Sequence, residues 1–375
     1  MSKSRFGPRA PAPERIVAHD SHRVGQPDTI GIAARNAWVR FWFTPTDPAA
    51  LHVVRVFAGL VFLTWLLPLA GDIDALFGLS GWFDREAYTE AARLAEGTPQ
   101  PITWSILYLC GSNHVLLAVV YWLSIAVLAL FTAGLWARLT GTLTWVIVAS
   151  FTAPPALGAD ADPLLLILAL YLAVGYALLG LRDRDQSLIS RLLGSRDAFL
   201  FGRVLKDVPK RRSLGANLAL RLLQVHFALV ILTSGLHKLQ IADWWAGLAL
   251  WYPLHPLMEM TPESLGSAAQ IRSSLAFLSL AAYAVLAWQI GFPAFAWRPR
   301  WRPLLLGGAL IGWLGCAFVY RVPIFGPALF AVCLSYVSAE EWYRIFAFVR
   351  KIPGLKRISV RLPATAEPLI PQATR

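Results

Sequence analysis

The chain has 375 residues, of which 57% are hydrophobic and only 15% charged, and its mean hydropathy is +0.54. This excludes an ordinary soluble globular protein, in which about a quarter of the residues carry charge. The net charge of +12 does not point to nucleic acid either, because the basic residues lie in loops and tails beside apolar runs rather than on an independent domain. They read as positive-inside signals and contacts to anionic membrane lipid.

Residues 1–36 are rich in Arg and Pro and are expected to form a disordered basic cytoplasmic tail. No cleavable signal peptide is evident, since the first long apolar run begins near residue 51. Residues 37–45, AWVRFWFTP, resemble an interfacial amphipathic segment leading into it. Eight apolar runs follow, at about 51–70, 114–136, 139–157, 163–180, 216–238, 273–297, 303–320 and 322–338, each near the length that crosses a bilayer as a helix. Backbone groups in hydrocarbon must be satisfied within their own segment, and none of the runs alternates as barrel strands do. The expected fold is therefore an all-α transmembrane bundle over residues 37–340, followed by a basic cytoplasmic tail from 341 to 375.

Loop charge sets the expected orientation. The chain up to residue 45 carries seven basic and three acidic residues, whereas the loop 71–112 carries two basic and six acidic ones. The segment 181–213 has nine basic against four acidic residues, and 240–271 has three acids with no Lys or Arg. Arg298, Arg300 and Arg302 then follow the sixth run, and seven basic residues follow Glu341. Both termini are expected on the cytoplasmic side, with 71–112 and 240–271 forming loops or lids over the outer face. Many of the 16 Trp lie near span ends, among them Trp38, Trp42, Trp82, Trp244, Trp245, Trp251, Trp297, Trp301 and Trp342, as interfacial belts do. The localisation this pattern fits is a plasma membrane of the bacterial inner-membrane kind. Cys110, Cys316 and Cys333 show neither CxxC nor metal-ligand spacing, so no metal site and no disulfide framework is expected.

Ionisable residues inside apolar spans are costly and mark candidate sites. The fifth run is the richest, reading LLQVHFALVILTSGLHKLQIADWWAGLAL, with Gln224, His226, Thr233, Ser234, His237 and Lys238 on one helix. His226, Thr233 and His237 fall within about 20° of one face at about 100° per residue. Ser234 and Lys238 stand four apart on a neighbouring strip, so the two strips together are expected to form a polar wall toward the bundle interior. Two readings of Lys238 stand. It ends the helix and snorkels to the interface, or, desolvated ahead of Asp243, Trp244 and Trp245, it acts as a base. Arg55 and His52, one turn apart at the start of the first span, read either as inside-face anchors or as site residues. Arg321 lies at an outer end against the charge rule and reads either as a partner of Asp160 or Asp162 or as an anion ligand. His114 and His255 lie in outer loops.

The run Gly235–Gly247, GLHKLQIADWWAG, resembles the lysine motif of the vitamin K-dependent gamma-glutamyl carboxylases and of the horizontally transferred transmembrane (HTTM) family, approximately G-x-K-K-L-x-A-D-W-x-x-G. The entry segment FWFTPTDP at 41–48, Arg55 with Gly59 in the first span, and GWFD at 81–84 are similar in style, so the likeness covers about residues 40–340. His237 stands at the first lysine of the pair, one additional residue precedes Ala242, and the fourth run has no histidine where the carboxylases carry one for carbon dioxide. The resemblance implies carboxylase-like chemistry of the carbon–carbon lyase or ligase kind. In it Lys238 is the catalytic base toward a reduced quinone of vitamin K or menaquinone type, His237 and His226 support it, and Arg321, Asp243, Trp244, Thr233, Ser234 and Arg55 line the substrate or cofactor site. The large luminal domain that docks substrates in the carboxylases has no counterpart after the last run, so a peptide substrate is expected to need another docking device or a partner protein. A non-enzymatic scaffold or maturation partner that holds a lipid or peptide is the alternative. A transporter is the third, and no inverted repeat supports it.

Overall fold

The computed structural model describes residues 29–78, 81, 93, 104–110, 113–153, 161–179, 212–254 and 268–349. These residues are helical with no β-strand among them; a single antiparallel bridge joins Thr46 to Ser213. The expected tails at 1–28 and 350–375, most of the loop 79–103, the segment 180–211 and residues 255–267 with His255 lie outside the described residues.

Helix α1, Thr29–Phe43, stands as a unit of its own through Trp42. It starts earlier than the sequence suggests, because no Pro lies between Pro27 and Pro45 and Ile30, Ala33, Ala34, Ala37 and Trp38 recur at helical spacing. Residues 29–36 are thus helix rather than tail.

The second unit is built around α2, Ala49–Leu66, which a 3₁₀ turn extends to Gly71. Asp47 caps its start, its Oδ1 accepting from Ala49 N at 2.9 Å. The short α3, Ile73–Phe77, follows, and then α4, His114–Ala133, with Asn113 as N-cap. α4 ends at Gly134 with φ of 83°, a left-handed position that suits glycine. Next come α5, Ala137–Phe151; α6, Asp162–Leu178; α7, Leu214–Lys238, capped by Ser213; and the single turns α8, Ala242–Trp245, and α9, Trp251–Leu254. The chain closes with α10, Ala268–Phe295; α11, Arg302–Phe318; α12, Phe325–Cys333; and α13, Ala339–Val349.

α2 is the central post, in contact with α4, α6, α7, α12 and α13, while neighbours pack in the order α4, α5, α6, α7, α10, α11, α12 around it. Small residues set the closest approaches. A Cβ at Gly59 of α2 would lie 2.2 Å from Thr132 Oγ1 of α4, and one at Gly175 of α6 would lie 2.7 Å from Ala219 Cβ of α7.

Four helices are long and apolar enough to cross a membrane: Ala49–Gly71, His114–Ala133, Leu214–Lys238 and Ser274–Phe295. The other four apolar runs form shorter helices, Ala137–Phe151, Asp162–Leu178, Arg302–Phe318 and Phe325–Tyr336. Proline accounts for where α5 stops, short of the expected 157, and for where α12 starts, past the expected 322. Pro154 and Pro155 stop α5 at Phe151, and Pro323, after Arg321 at φ of 57°, separates α11 from α12.

The stretch read as the start of a C-terminal tail folds as α13. Ser338 and Glu341 form a capping box: Ser338 N donates to Glu341 Oε2 at 2.8 Å and Glu341 N donates to Ser338 Oγ at 3.3 Å. Arg302 Nη1 adds a 2.6 Å bond to the same carboxylate, and Tyr343 OH donates to Asp47 Oδ2 at 2.9 Å. Burial pushes the Glu341 carboxyl up, yet the bonds from Ser338 and Arg302 outweigh it and hold the group below the ordinary glutamate value. Burial, reinforced by the Asp47 charge, pushes the Tyr343 phenol up, so it remains a donor. Trp342 of α13, expected in an interfacial belt, is buried, whereas Trp38, Trp245 and Trp301 are exposed; Trp82 lies outside the described residues.

Candidate functional site: the end of α7

Lys238 is the last residue of α7, and the chain turns back at once through α8 toward α10. Three contacts pin that turn to α10. Tyr283 OH donates to the Trp245 carbonyl at 2.6 Å, Ser279 Oγ donates to the Gly247 carbonyl at 3.0 Å, and Trp244 packs on Ala282 and Leu286. Gly247 has φ of 73°, and a Cβ there would lie 2.6 Å from Ser279 Oγ, so this close turn suits glycine alone. Trp245 Nε1 donates back to the Leu239 carbonyl.

The result is a seated amine. Lys238 Nζ donates to Ser234 Oγ at 2.8 Å, one turn back on the same helix, and lies 5.3 Å from the ring centroid of Trp244, itself buried. From α10, Gln289 Nε2 donates to the same Ser234 Oγ at 3.4 Å. The helices come close enough for this because Gly235 faces Gln289, where a Cβ would lie 3.1 Å from Gln289 Cβ. From α11, Cys316 is within electrostatic reach of Lys238, and Tyr320 is within reach of Cys316. The seam therefore gathers an amine, a hydroxyl, an amide and an indole face from α7, α8 and α10.

The expected polar wall does not form as one surface. Thr233 and His237 are exposed, and Thr233 Oγ1 donates to its own helix at the Leu229 and Val230 carbonyls, each at 3.0 Å. Gly235 and Ser234 are the side of α7 that meets α10, so the strip carrying Thr233 and His237 turns outward. His226 shares a 2.8 Å hydrogen bond through Nδ1 with Tyr171 OH of α6, three turns from Lys238. Gln224 is bound at its far end, donating from Nε2 to the Ser335 carbonyl at 2.6 Å and accepting at Oε1 from Arg221 at 2.9 Å. Among the described residues no histidine joins Lys238.

Arg55 is neither an interfacial anchor nor part of the Lys238 seam. It is 0% exposed, with Nη1 donating to Tyr176 OH at 3.3 Å and its guanidinium 5.7 Å from the Tyr176 ring centroid. His52 Nδ1 shares a 2.7 Å hydrogen bond with the same hydroxyl. The reason is that α2 runs through the middle of the bundle, so its first turns are interior. Asp243 is exposed, and its carbonyl rather than its carboxylate is engaged, accepting from Leu248 N at 2.8 Å and Ala249 N at 3.1 Å. Arg321 is exposed in the turn after α11, whose Val322 N donates to the Cys316 carbonyl at 3.1 Å; its suggested partner Asp160 lies outside the described residues. His114 pairs instead with Asp74 of α3 at 2.7 Å, both exposed. No group of three His, Cys, Asp or Glu side chains among the described residues could hold a metal.

Gln289, Cys316 and Tyr320 were not singled out from sequence. Gln289 had a signal, since it is an amide inside the apolar stretch LAWQIGF, and the rule that flagged Gln224 applies equally to it. No family model, curated protein or solved structure matches the chain.

Proposed function

We propose that the chain is a multi-pass protein of a plasma membrane, with eight helices in the bilayer, both termini cytoplasmic and the end of α7 at the outer face, related to the HTTM family. In this reading it is a quinone-linked enzyme, similar to the vitamin K-dependent carboxylases, that modifies a peptide or small substrate with Lys238 as the base. The observation that carries it is the seat of Lys238: a half-buried amine bonded to Ser234, over the Trp244 ring, beside a buried amide.

These residues fit a reduced quinone. Trp244 offers a flat apolar face, Lys238 Nζ an acceptor for a hydroxyl proton, and Gln289 Oε1 a buried oxygen without a partner among the described residues. Leu236 and Ile290, next in the chain to Gly235 and Gln289, and Trp245, next to Trp244, are exposed and offer apolar surface to a lipid-soluble molecule. When bound, such a quinone supplies reaction with oxygen that yields a strong base, an epoxide and water. The protein's part is to orient the ring on Trp244, exclude bulk water and take the proton at Nζ while Ser234 keeps the amine aimed.

The test is oxygen uptake and epoxide formation by the purified chain with reduced menaquinone. Wild type is expected to turn over, and both Lys238→Ala and Lys238→Arg to lose at least about a hundredfold, because a guanidinium does not release its proton. A non-enzymatic scaffold is the second reading, favoured by the lack of any histidine beside Lys238 among the described residues. It predicts no product from wild type, and ligand or partner binding that Lys238→Arg retains.

A further inference from the structure

Among the described residues two glutamines lie buried on helices, and they differ in one respect. Gln224 has both ends of its amide bonded, Nε2 to the Ser335 carbonyl and Oε1 to Arg221 Nη1. Gln289, only 9% exposed, uses one end on Ser234 and leaves Oε1 without a partner among the described residues. Buried amide oxygens are nearly always satisfied, so an orphan beside a seated amine marks a place where a ligand atom belongs. That oxygen can only accept. Its complement is a donor, and the neighbouring Lys238 Nζ is already bonded to the same Ser234 oxygen, which brings an acceptor and an amine to one spot.

We infer that Gln289 reads the redox state of the ligand, admitting the hydroxyl-bearing reduced ring and rejecting the carbonyl-bearing oxidised one. On binding, a hydroxyl donates its hydrogen to Gln289 Oε1 while its oxygen accepts an N–H of the Lys238 amine, and the same hydrogen passes to the Nζ lone pair when the hydroxyl turns toward it. A quinone carbonyl satisfies Lys238 but brings its lone pairs against Oε1 and leaves that oxygen unpaired, so the two forms differ by one buried hydrogen bond. The inference rests on the quinone reading of Lys238 and adds a specificity residue to it. Discrimination also gives the site direction, since the spent ring leaves and the fresh one enters.

The experiment measures binding of menadiol and menadione to the full chain in detergent under anaerobic conditions, by titration calorimetry. Wild type is expected to prefer menadiol by at least about tenfold, equivalent to about 1.4 kcal/mol. Gln289→Met, which keeps the volume and removes the acceptor, is expected to erase the preference while leaving menadione affinity unchanged or higher. The dimethyl ether of menadiol, tested on wild type alone, has no hydroxyl to donate and is expected to bind no better than menadione, which keeps the test independent of how the variant folds. A preference retained in Gln289→Met, or an ether that binds as menadiol does, overturns the role of Gln289 and leaves the quinone reading standing. Binding of neither menadiol nor menadione by wild type removes the quinone reading and this inference with it.

Discussion

At the scale of single residues, the most informative side chains are those whose partners lie far away in sequence. Tyr176 OH serves His52 Nδ1 at 2.7 Å and Arg55 Nη1 at 3.3 Å in the interior of the second unit. Removing it takes one hydrogen bond from each of two interior groups, at a cost of about 1–3 kcal/mol. Tyr176→Phe is therefore expected to lower the melting temperature in detergent with helical content unchanged, measured by circular dichroism; an unchanged melting point contradicts a role for the hydroxyl. The Ser234–Lys238 bond was legible in the sequence, because a four-residue spacing on a helix puts the two side chains together whatever surrounds them. Gln289 and Arg55 were not placed correctly for the same physical reason in reverse. The partner of Gln289 is 55 residues away and that of Arg55 is 121 away, and periodicity within one helix carries no information about which neighbour it meets.

At the scale of elements, helix existence was readable and helix facing was not. The apolar runs became helices because each is long and uniformly hydrophobic, and their ends fall where Pro154, Pro155 and Pro323 deny the ladder a donor. Which strip of α7 points inward depends instead on Gly235, whose missing side chain lets α10 approach. Thr233 and His237, on the adjoining strip, turn outward as a consequence. Close approach through glycine has a measurable cost when filled. At Gly59 a Cβ would meet Thr132 Oγ1 at 2.2 Å and Thr132 Cα at 3.0 Å, and Thr132 Oγ1 is itself tied to the Leu128 carbonyl at 2.7 Å. Gly59→Ala is expected to destabilise by about 1–3 kcal/mol through overpacking of α2 on α4. Gly312→Ala, where nothing lies within 4 Å, serves as the comparison and is expected to leave the thermal transition where it is. Equal shifts for the two variants contradict the packing argument.

At the scale of the whole molecule, α2 is the buried post of the second unit, and α13 is tied to the start of that post by Tyr343 on Asp47 and to α11 by Glu341 on Arg302. The proposed topology follows from loop charge, and under it the seam at the end of α7 opens where apolar chains of lipid meet headgroups. Composition made the membrane character legible from the start, because 57% apolar residues leave too little charge to cover a soluble surface. The closing of α8 over Lys238 was not legible, since it depends on Tyr283 and Ser279 of a helix that begins some twenty residues later. The account depends above all on that amine being shielded. Its most direct test is the rate at which a water-soluble acylating reagent modifies Lys238 in the intact chain, followed by mass spectrometry and compared with free N-acetyl-lysine at the same pH. We predict a rate at least about tenfold lower at Lys238, restored toward the free value in Trp244→Ala, which uncovers the amine. A rate equal to that of the free amine in the wild-type chain contradicts a shielded seat and with it the assignment of Lys238 as a base.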